Sequence, residues 1–232
     1  MKLSVIIPIF NEKNNILEIL KRVEQVDLGD IKKEIILVDD GSTDGTREIL
    51  KNLEEKYLVI YHPKNQGKGM AIRNGFARAD GDIILVQDSD LEYDPQNYPA
   101  LIKPILEGKA DVVYGSRFLN KEFRHIFFLS NFANKFLTKF SNLLTGLHLT
   151  DMWTGCKVFK KEAIKEILPR LTAERFEIEL ELTAQVSKKK YRICEVSLSF
   201  QGQPRTCKEG KKRHWLLGVV SLWNMTKFNL FR

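Results

Sequence analysis

Three carboxylates at alternate positions, Asp88, Asp90 and Glu92, follow the apolar run Ile83-Ile84-Leu85-Val86. Side chains two apart on an extended segment point the same way. Three like charges on one side repel unless a cation lies between them. Oxygen-only ligands on a short segment suit Mg²⁺ or Mn²⁺, which commonly share their coordination with substrate phosphates. Taken alone, the pattern also describes a solvated acidic turn after a strand, so the surrounding elements have to decide.

Those elements alternate. Ser4–Ile9 reads as a buried strand, with Pro8 near its end. Glu34–Val38, Leu58–Tyr61, Ile83–Val86 and Ala110–Tyr114 read the same way. A helix starting at Asn14 or Asn15 is expected to bury Ile16, Leu17, Ile19, Leu20 and Val23. Ser42 or Asp44 can cap the next helix, which carries Ile49, Leu50 and Leu53, and Met70 to Ala79 forms a third. Strands and helices joined by short connections predict an α/β fold, a mostly parallel sheet flanked by helices. Ligands of such sheets sit beyond the carboxyl ends of the strands. Asn11-Glu12, Asp39-Asp40, Asn65 to Gly69 and Asp88 to Glu92 all follow strands, and so should gather along one edge. Buried carboxylates are costly, so four polar strand ends on one edge favour a site over a solvated turn.

The pattern changes after Gly115-Ser116-Arg117. From Leu129 to Leu144, apolar residues fall at 129, 132, 133, 136, 137, 140, 143 and 144, one side of a helix. That side either covers the sheet or lies on a membrane, and the preceding Phe123, Ile126, Phe127 and Phe128 suit the second. Thr150 to Gly155 is a turn, Cys156–Phe159 a strand, Lys161–Ile167 a helix stopped by Pro169. Phe176–Val186 is a helix whose Glu177, Glu179 and Glu181 read as a solvated face, with Glu177 and Glu181 on a common side. Tyr191–Phe200 is a strand. The last helix, Trp215–Phe228, is apolar around most of its girth. It is too short to span a bilayer, and either lies at an interface through Trp215, Trp223, Lys227 and Arg232 or packs on the body.

The chain of 232 residues carries a net charge of +7. From Gln201 onward Arg205, Lys208, Lys211, Lys212, Arg213, Lys227 and Arg232 face Glu209 alone, so nearly all the excess lies at this end. A basic end suits an anionic partner: phosphate, anionic lipid or nucleic acid. Nucleic acid is disfavoured, because aromatic residues do not interleave with the basic run and no binding signature is present. Three widely spaced cysteines, Cys156, Cys194 and Cys207, form neither a disulfide framework nor a zinc pattern and imply a reducing cytosol. The start of the chain has no apolar leader, and no run approaches the roughly 20 apolar residues of a spanning helix. The expected location is therefore cytoplasmic, peripheral on the cytoplasmic face of a membrane. The chain reads as a single domain. It divides into residues 1–118, which carry the polar strand ends, 119–200, and a basic annex at 201–232 that is expected to face a membrane.

The motifs Val5-Ile6-Ile7-Pro8-Ile9-Phe10-Asn11-Glu12, Val38-Asp39-Asp40-Gly41-Ser42, Asn65-Gln66-Gly67-Lys68-Gly69, Gln87-Asp88-Ser89-Asp90 and Gly115-Ser116-Arg117 resemble those of family 2 glycosyltransferases with the GT-A fold. Asp151 to Gly155, Phe176 to Leu182 and Arg205 to Lys212 are similar to the polyprenyl-phosphate branch, that of the dolichyl-phosphate mannose synthases. The resemblance covers nearly the whole chain, in order. It implies inverting transfer of a sugar from GDP-mannose or a UDP-hexose to a polyprenyl or dolichyl monophosphate. It also implies roles. Pro8, Phe10, Glu12, Asp39 and Asp40 would line the base and ribose, and Lys68 and Ser89 would join them on the nucleotide sugar. Asp88, Asp90 and Glu92 would hold the metal and the donor diphosphate. Arg117 and Arg205 would face the donor and acceptor phosphates as catalytic cations. Arg124, Ser130 and Lys211 would stand on the acceptor side. Three positions depart from the family pattern. Glu92 stands where Gln is commoner, Phe10 where Tyr is usual, and Ile126 where an arginine is common, so that either Arg124 takes its role or the acceptor phosphate is held differently.

A phosphate acceptor, with a second pKa near 6, is largely a dianion at neutral pH. It needs no strong base, which agrees with histidines that all lie outside the acidic motif. A family 2 transferase acting on a glycan hydroxyl would need one, and Asp151, Glu177 or Glu181 could serve. A membrane-anchored partner subunit is compatible with either reading.

Overall fold

The computed structural model describes residues 1–119, 128–198 and 214–231. The strands are β1 (Lys2–Ile9), β2 (Lys32–Asp39), β3 (Leu58–Tyr61), β4 (Ile83–Val86), β5 (Val112–Ser116), β6 (Lys157–Lys160) and β7 (Ile193–Ser197). The helices are α1 (Ile16–Gln25), α2 (Thr46–Lys51), α3 (Lys68–Arg78), α4 (Tyr98–Leu106), α5 (Phe128–Thr145), α6 (Lys161–Ile167), α7 (Ile178–Lys188) and α8 (His214–Leu230).

The seven strands form one sheet in the order β3-β2-β1-β4-β6-β5-β7. All neighbours are parallel except at β6, which runs antiparallel to both β4 and β5. This reversal matters for the site. The first residue of β6, Lys157, pairs with the last of β4, Val86. The turn that precedes β6 therefore arrives at the edge where β1, β2 and β4 end.

Alternate residues of β1 feed two cores. Ile6 joins α3, α6, α7 and α8 on one face, whereas Val5 and Ile7 join α1 and α4 on the other. In α1 the buried residues are Ile16, Ile19, Leu20 and Val23, but Leu17 is exposed, contrary to expectation. At 100° per residue it falls off the stripe that the other four define. The helix α2 begins at Gly45 in the left-handed region without a side-chain cap, and Asp44 instead accepts from the Thr46 N–H.

Helix α5 packs on α7 and α8, with Thr138 and Ser141 buried and Leu137, Phe140 and Leu144 against the core. Phe136 and Leu143, expected on its apolar side, are exposed. Helix α8 sends Met225 and Phe228 into the core and leaves Val220, Trp223 and Leu230 outside. The packing reading of the last helix therefore holds for the face of Met225 and Phe228, while the opposite face leaves apolar side chains exposed. No helix among the described residues is long and apolar enough to cross a membrane.

Candidate active site

The ends of β1 and β2 are tied together before any ligand is considered. Asn11 adopts a left-handed backbone, its N–H donates to Ser42 Oγ (3.0 Å), and its side-chain oxygen accepts the Thr43 N–H (2.8 Å). Asp40, buried, accepts His62 Nδ1–H at one oxygen and the Gln66 N–H at the same oxygen, each at 2.8 Å. Its other oxygen accepts the Gly67 N–H, also at 2.8 Å. His62 Nε2 meets the Asn74 amide at 2.8 Å, which leaves the proton on Nδ1, facing Asp40. Asp40 thus shapes the Asn65–Gly69 loop while lining the cleft. Asp39 does not line it. The side chain is fully buried, bound by Arg47 Nε (2.7 Å) and the Ser42 N–H (3.1 Å). Successive residues at a strand end point to opposite faces, so only one of the two aspartates can face the ligand.

The acidic turn is not extended. Strand β4 stops at Val86, and Leu91 has a positive φ of 61°. Buried Gln87 braces the turn: its amide donates to the carbonyls of Asp88 (3.0 Å) and Tyr93 (3.1 Å) and accepts the Tyr98 hydroxyl (3.0 Å). Asp88, Ser89 and Asp90 line the cleft, but Glu92 does not. The expectation that all three carboxylates share one side fails here, because the alternation on which it rests requires extended backbone. Among the described residues, no three of His, Cys, Asp and Glu converge as a metal cluster. The carboxylates of this turn that face the cleft, and so could hold a metal, are Asp88 and Asp90. Ser89 Oγ donates to the Pro8 carbonyl (3.1 Å), which fastens this turn to β1.

Beneath the turn lies a row of buried charges. Lys68 Nζ stands 2.7 Å from Asp88 and 3.1 Å from Glu179. Glu179 also pairs with Lys157, whose ammonium reaches the Thr154 carbonyl as well. Burial draws Lys157 below its ordinary pKa. Burial would raise Glu179, but the two ammonium groups against it more than offset that and hold it low. Burial likewise opposes charge on Lys68, yet Asp88 and Glu179 carry its pKa upward. Gly155, in the turn before β6, passes directly under the pair. A Cβ there would stand 2.0 Å from Asp88 Oδ2. The neighbouring Cys156 thiol is pushed up to about 12 by burial.

Arg117 is not among the cleft residues. Its guanidinium binds Asp151 through two bonds, 2.7 and 2.9 Å long. Glu195 accepts the N–H groups of Thr150 and Asp151, and burial raises its pKa. Glu179 and Glu181, expected on a solvated face, are buried. Glu181 accepts the Thr172 and Ala173 N–H groups (2.8 and 2.7 Å) and so holds the loop before α7. That loop brings Arg175 and Phe176 into the cleft, two residues to which the sequence reading gave no site role. Gly67 and Gly69 make the approach possible, since a Cβ at either would lie 2.4 or 2.6 Å from the loop's backbone carbonyls. Ser130 falls in the first turn of α5. Its side chain, and Arg124, Arg205 and Lys211 altogether, lie outside the described residues.

The resulting cleft has a volume of about 410 Å³ and runs from Pro8, Phe10 and Glu12 across Asp40 and Lys68 to Asp88, Asp90 and Arg175. The family model described as glycosyl transferase family 2 matches residues 4–168, which include every strand of the donor edge. The chain is a family 2 glycosyltransferase.

The transferase is 32% identical over 213 residues to the UDP-N-acetylglucosamine–dolichyl-phosphate N-acetylglucosaminyltransferase of Methanococcus voltae, covering 84% of this chain and 83% of that protein. It is 40% identical over 121 residues to the dolichol-phosphate mannosyltransferase of Pyrococcus furiosus, covering 51% of this chain and 34% of that protein. These relatives support the polyprenyl-phosphate branch of the family. Among solved structures, glucosyl-3-phosphoglycerate synthase from Mycobacterium tuberculosis, in complex with Mn²⁺, UDP and phosphoglyceric acid, is similar with a TM-score of 0.65. That match covers 88% of this chain and 72% of that one at 22% identity, a likeness of fold. The transferase accordingly has the GT-A fold.

Proposed function

We propose that this transferase moves a hexose from a nucleoside-diphosphate sugar to a polyprenyl monophosphate, inverting the anomeric carbon. Phe10 and Phe176, both exposed at the cleft, offer apolar walls to a nucleobase, and Asp40 and Glu12 offer acceptors to base and ribose. Asp88 and Asp90 are hard-oxygen donors suited to Mg²⁺ or Mn²⁺, with substrate phosphates completing the coordination. The metal reading is also supported by the Mn²⁺ and UDP in the similar synthase structure. When bound, such a cation supplies charge neutralisation to the leaving diphosphate. Arg175 adds a second cation at the same edge.

The observation that carries a phosphate acceptor over a hydroxyl acceptor is the placement of the candidate bases. Asp151 is held by both arms of Arg117, Glu181 is spent on the loop amides, and Glu177 accepts the Arg175 N–H (3.3 Å); none of the three lines the cleft. A general base has to come within hydrogen-bond reach of the attacking hydroxyl, and carboxylates outside the cleft do not. A phosphate dianion attacks C1 without one. Exposed Phe136, Leu143, Val220 and Trp223 support seating on a lipid surface, beside which the basic run Arg205–Arg213 would meet phosphate. A membrane-anchored partner subunit remains compatible with this seating.

The test is transfer of radiolabel from a panel of GDP- and UDP-sugars to a short polyprenyl phosphate, with Mg²⁺ or Mn²⁺ and again with EDTA. Metal-dependent label in a lipid product is expected and identifies the sugar. Label on a glycan hydroxyl instead of the lipid would replace the acceptor.

A further inference from the structure

Four charges of alternating sign run from the core to the mouth of the cleft: Lys157, Glu179, Lys68 and Asp88. The inner pair is almost fully excluded from solvent, Lys157 at 1% and Glu179 at 4% side-chain exposure. Burying such a pair costs desolvation that its mutual attraction only partly offsets. Packing alone therefore gives no reason for a lysine in the middle of Cys156–Phe159.

The two ends of the row differ. Lys157 engages one oxygen of Glu179, and the Lys68 ammonium engages Asp88 at 2.7 Å. The second oxygen of Glu179 lies 3.1 Å from Lys68 but has no hydrogen-bond partner of proper alignment. A buried acceptor left in that state is uncommon and calls for an explanation. Lys68 thus bridges two carboxylates, tightly to Asp88 and loosely to Glu179, and can release the first while keeping the second. At the meeting point the main chain is Gly155, whose missing Cβ would overlap Asp88 and stand 3.1 Å from the Lys68 ammonium. Only a glycine there lets the main chain pass this close to the Asp88–Lys68 pair.

The geometry points to Lys68 as a tethered stand-in cation, which neutralises Asp88 until a divalent cation takes that carboxylate and which then withdraws onto Glu179 alone, tightening the 3.1 Å contact it already makes there. This deepens the metal-dependent reading above and rests on it. Metal loading becomes an exchange of cations rather than an addition of charge. Glu179 and Lys157 act as positioning residues, since neither lines the cleft. Lys157 keeps one oxygen of Glu179 occupied, so that the other stays directed at Lys68.

The exchange makes a prediction that a simple field effect does not. Mn²⁺ binding is measured by electron paramagnetic resonance without nucleotide, on the wild type and on Lys68→Met, Glu179→Gln and the double variant. Removing the competitor should tighten Mn²⁺ binding about tenfold or more in Lys68→Met. Removing the receiving carboxylate should weaken it in Glu179→Gln. In the Lys68→Met background Glu179→Gln should then have little effect, because there is no ammonium left to receive. Glu179→Gln strands the Lys157 charge, so the same cycle is repeated in a Lys157→Met background, which restores neutrality. Equal Mn²⁺ affinity in wild type and Lys68→Met, with UDP-enhanced binding retained, overturns the exchange alone. Equal weakening by Glu179→Gln with and without Lys68 also overturns it. No Mn²⁺ binding by any variant, even with UDP, overturns the metal reading and the exchange together.

Discussion

Arg117 and Asp151 are joined by two parallel hydrogen bonds, 2.7 and 2.9 Å, and the Arg117 N–H adds a third to the same carboxylate at 3.1 Å. Asp151 is fully buried, so this pair closes the floor between β5 and the turn before β6. It is a clasp that lies outside the cleft, away from where an attacking hydroxyl would stand.

Asp151→Asn should accordingly behave as a stability variant. Breaking a buried pair from one side costs about 3–5 kcal/mol, and the partly exposed Arg117 places the expected loss at the lower end, about 3 kcal/mol. Denaturant melts should report that loss, while kcat per folded molecule falls less than about tenfold. A general base contributes about 10²–10⁴-fold. A kcat loss in that range with unchanged stability would restore Asp151 as a base and with it the hydroxyl acceptor.

Asp90→Asn and Glu92→Gln should part company. Asp90 lines the cleft and Glu92 does not. Removing one charge from the proposed two-carboxylate metal site should cut transfer by about a hundredfold or more and raise the Mn²⁺ requirement of what remains. Glu92→Gln should stay within about tenfold of wild type, the range of a charge acting from outside the coordination sphere. Mn²⁺ titrations of transfer activity compare the two. Equal losses would return Glu92 to the metal.

Gly155→Ala tests how closely the turn before β6 supports Asp88. The new methyl would meet Asp88 Oδ2 at 2.0 Å and Cγ at 2.8 Å, so the carboxylate must move. Overpacking of this kind costs about 1–3 kcal/mol. The larger effect should be on function, on the order of a hundredfold in rate, since a displacement near 1 Å is worth that much. Melting curves and activity at saturating metal separate the two effects, and an active enzyme with unshifted metal dependence would refute the contact.

Much of this arrangement was legible in the chain, and what was not has physical causes. The bounds of β3, β4 and α6 follow from apolar runs and their breakers, and the gathering of polar strand ends follows from parallel alternation. The direction of β6 does not, because periodicity is the same for either direction, and only the pairing of Lys157 with Val86 reveals it. The burial of Glu179 and Glu181 was hidden for a similar reason. Three glutamates on one helix look solvated until Lys68, Lys157 and the Thr172–Ala173 amides are brought to them from distant positions. A lysine inside the apolar run before α6 was the one local sign that a buried carboxylate was needed. Arg175 carried no such sign, since it reaches the cleft only because Gly67 and Gly69 let its loop approach.

The far edge of the sheet gives a prediction about pH. Asp111 meets Lys160 at 2.8 Å and Arg192 through two bonds of 3.0 and 2.8 Å, joining the start of β5 to β6 and β7. The Arg192 guanidinium, followed by Lys160, holds the Asp111 carboxyl well below the usual range, against a smaller upward pull from burial. A carboxyl depressed in the folded state contributes stability that is complete above its unfolded pKa, about 3.9. That stability is lost as pH falls through the folded value. Arg192 is more than half exposed, so solvent screening limits the contribution to about 1 kcal/mol at neutral pH. Urea unfolding should therefore show Asp111→Asn less stable than wild type by that amount at pH 7 and still at pH 5. The two proteins should converge as pH drops below 4, where the carboxylate of the unfolded wild-type chain begins to take up its proton while the folded one still resists. A difference that persisted unchanged to pH 2 would mean that packing of the side chain, and not its charge, is what the edge depends on.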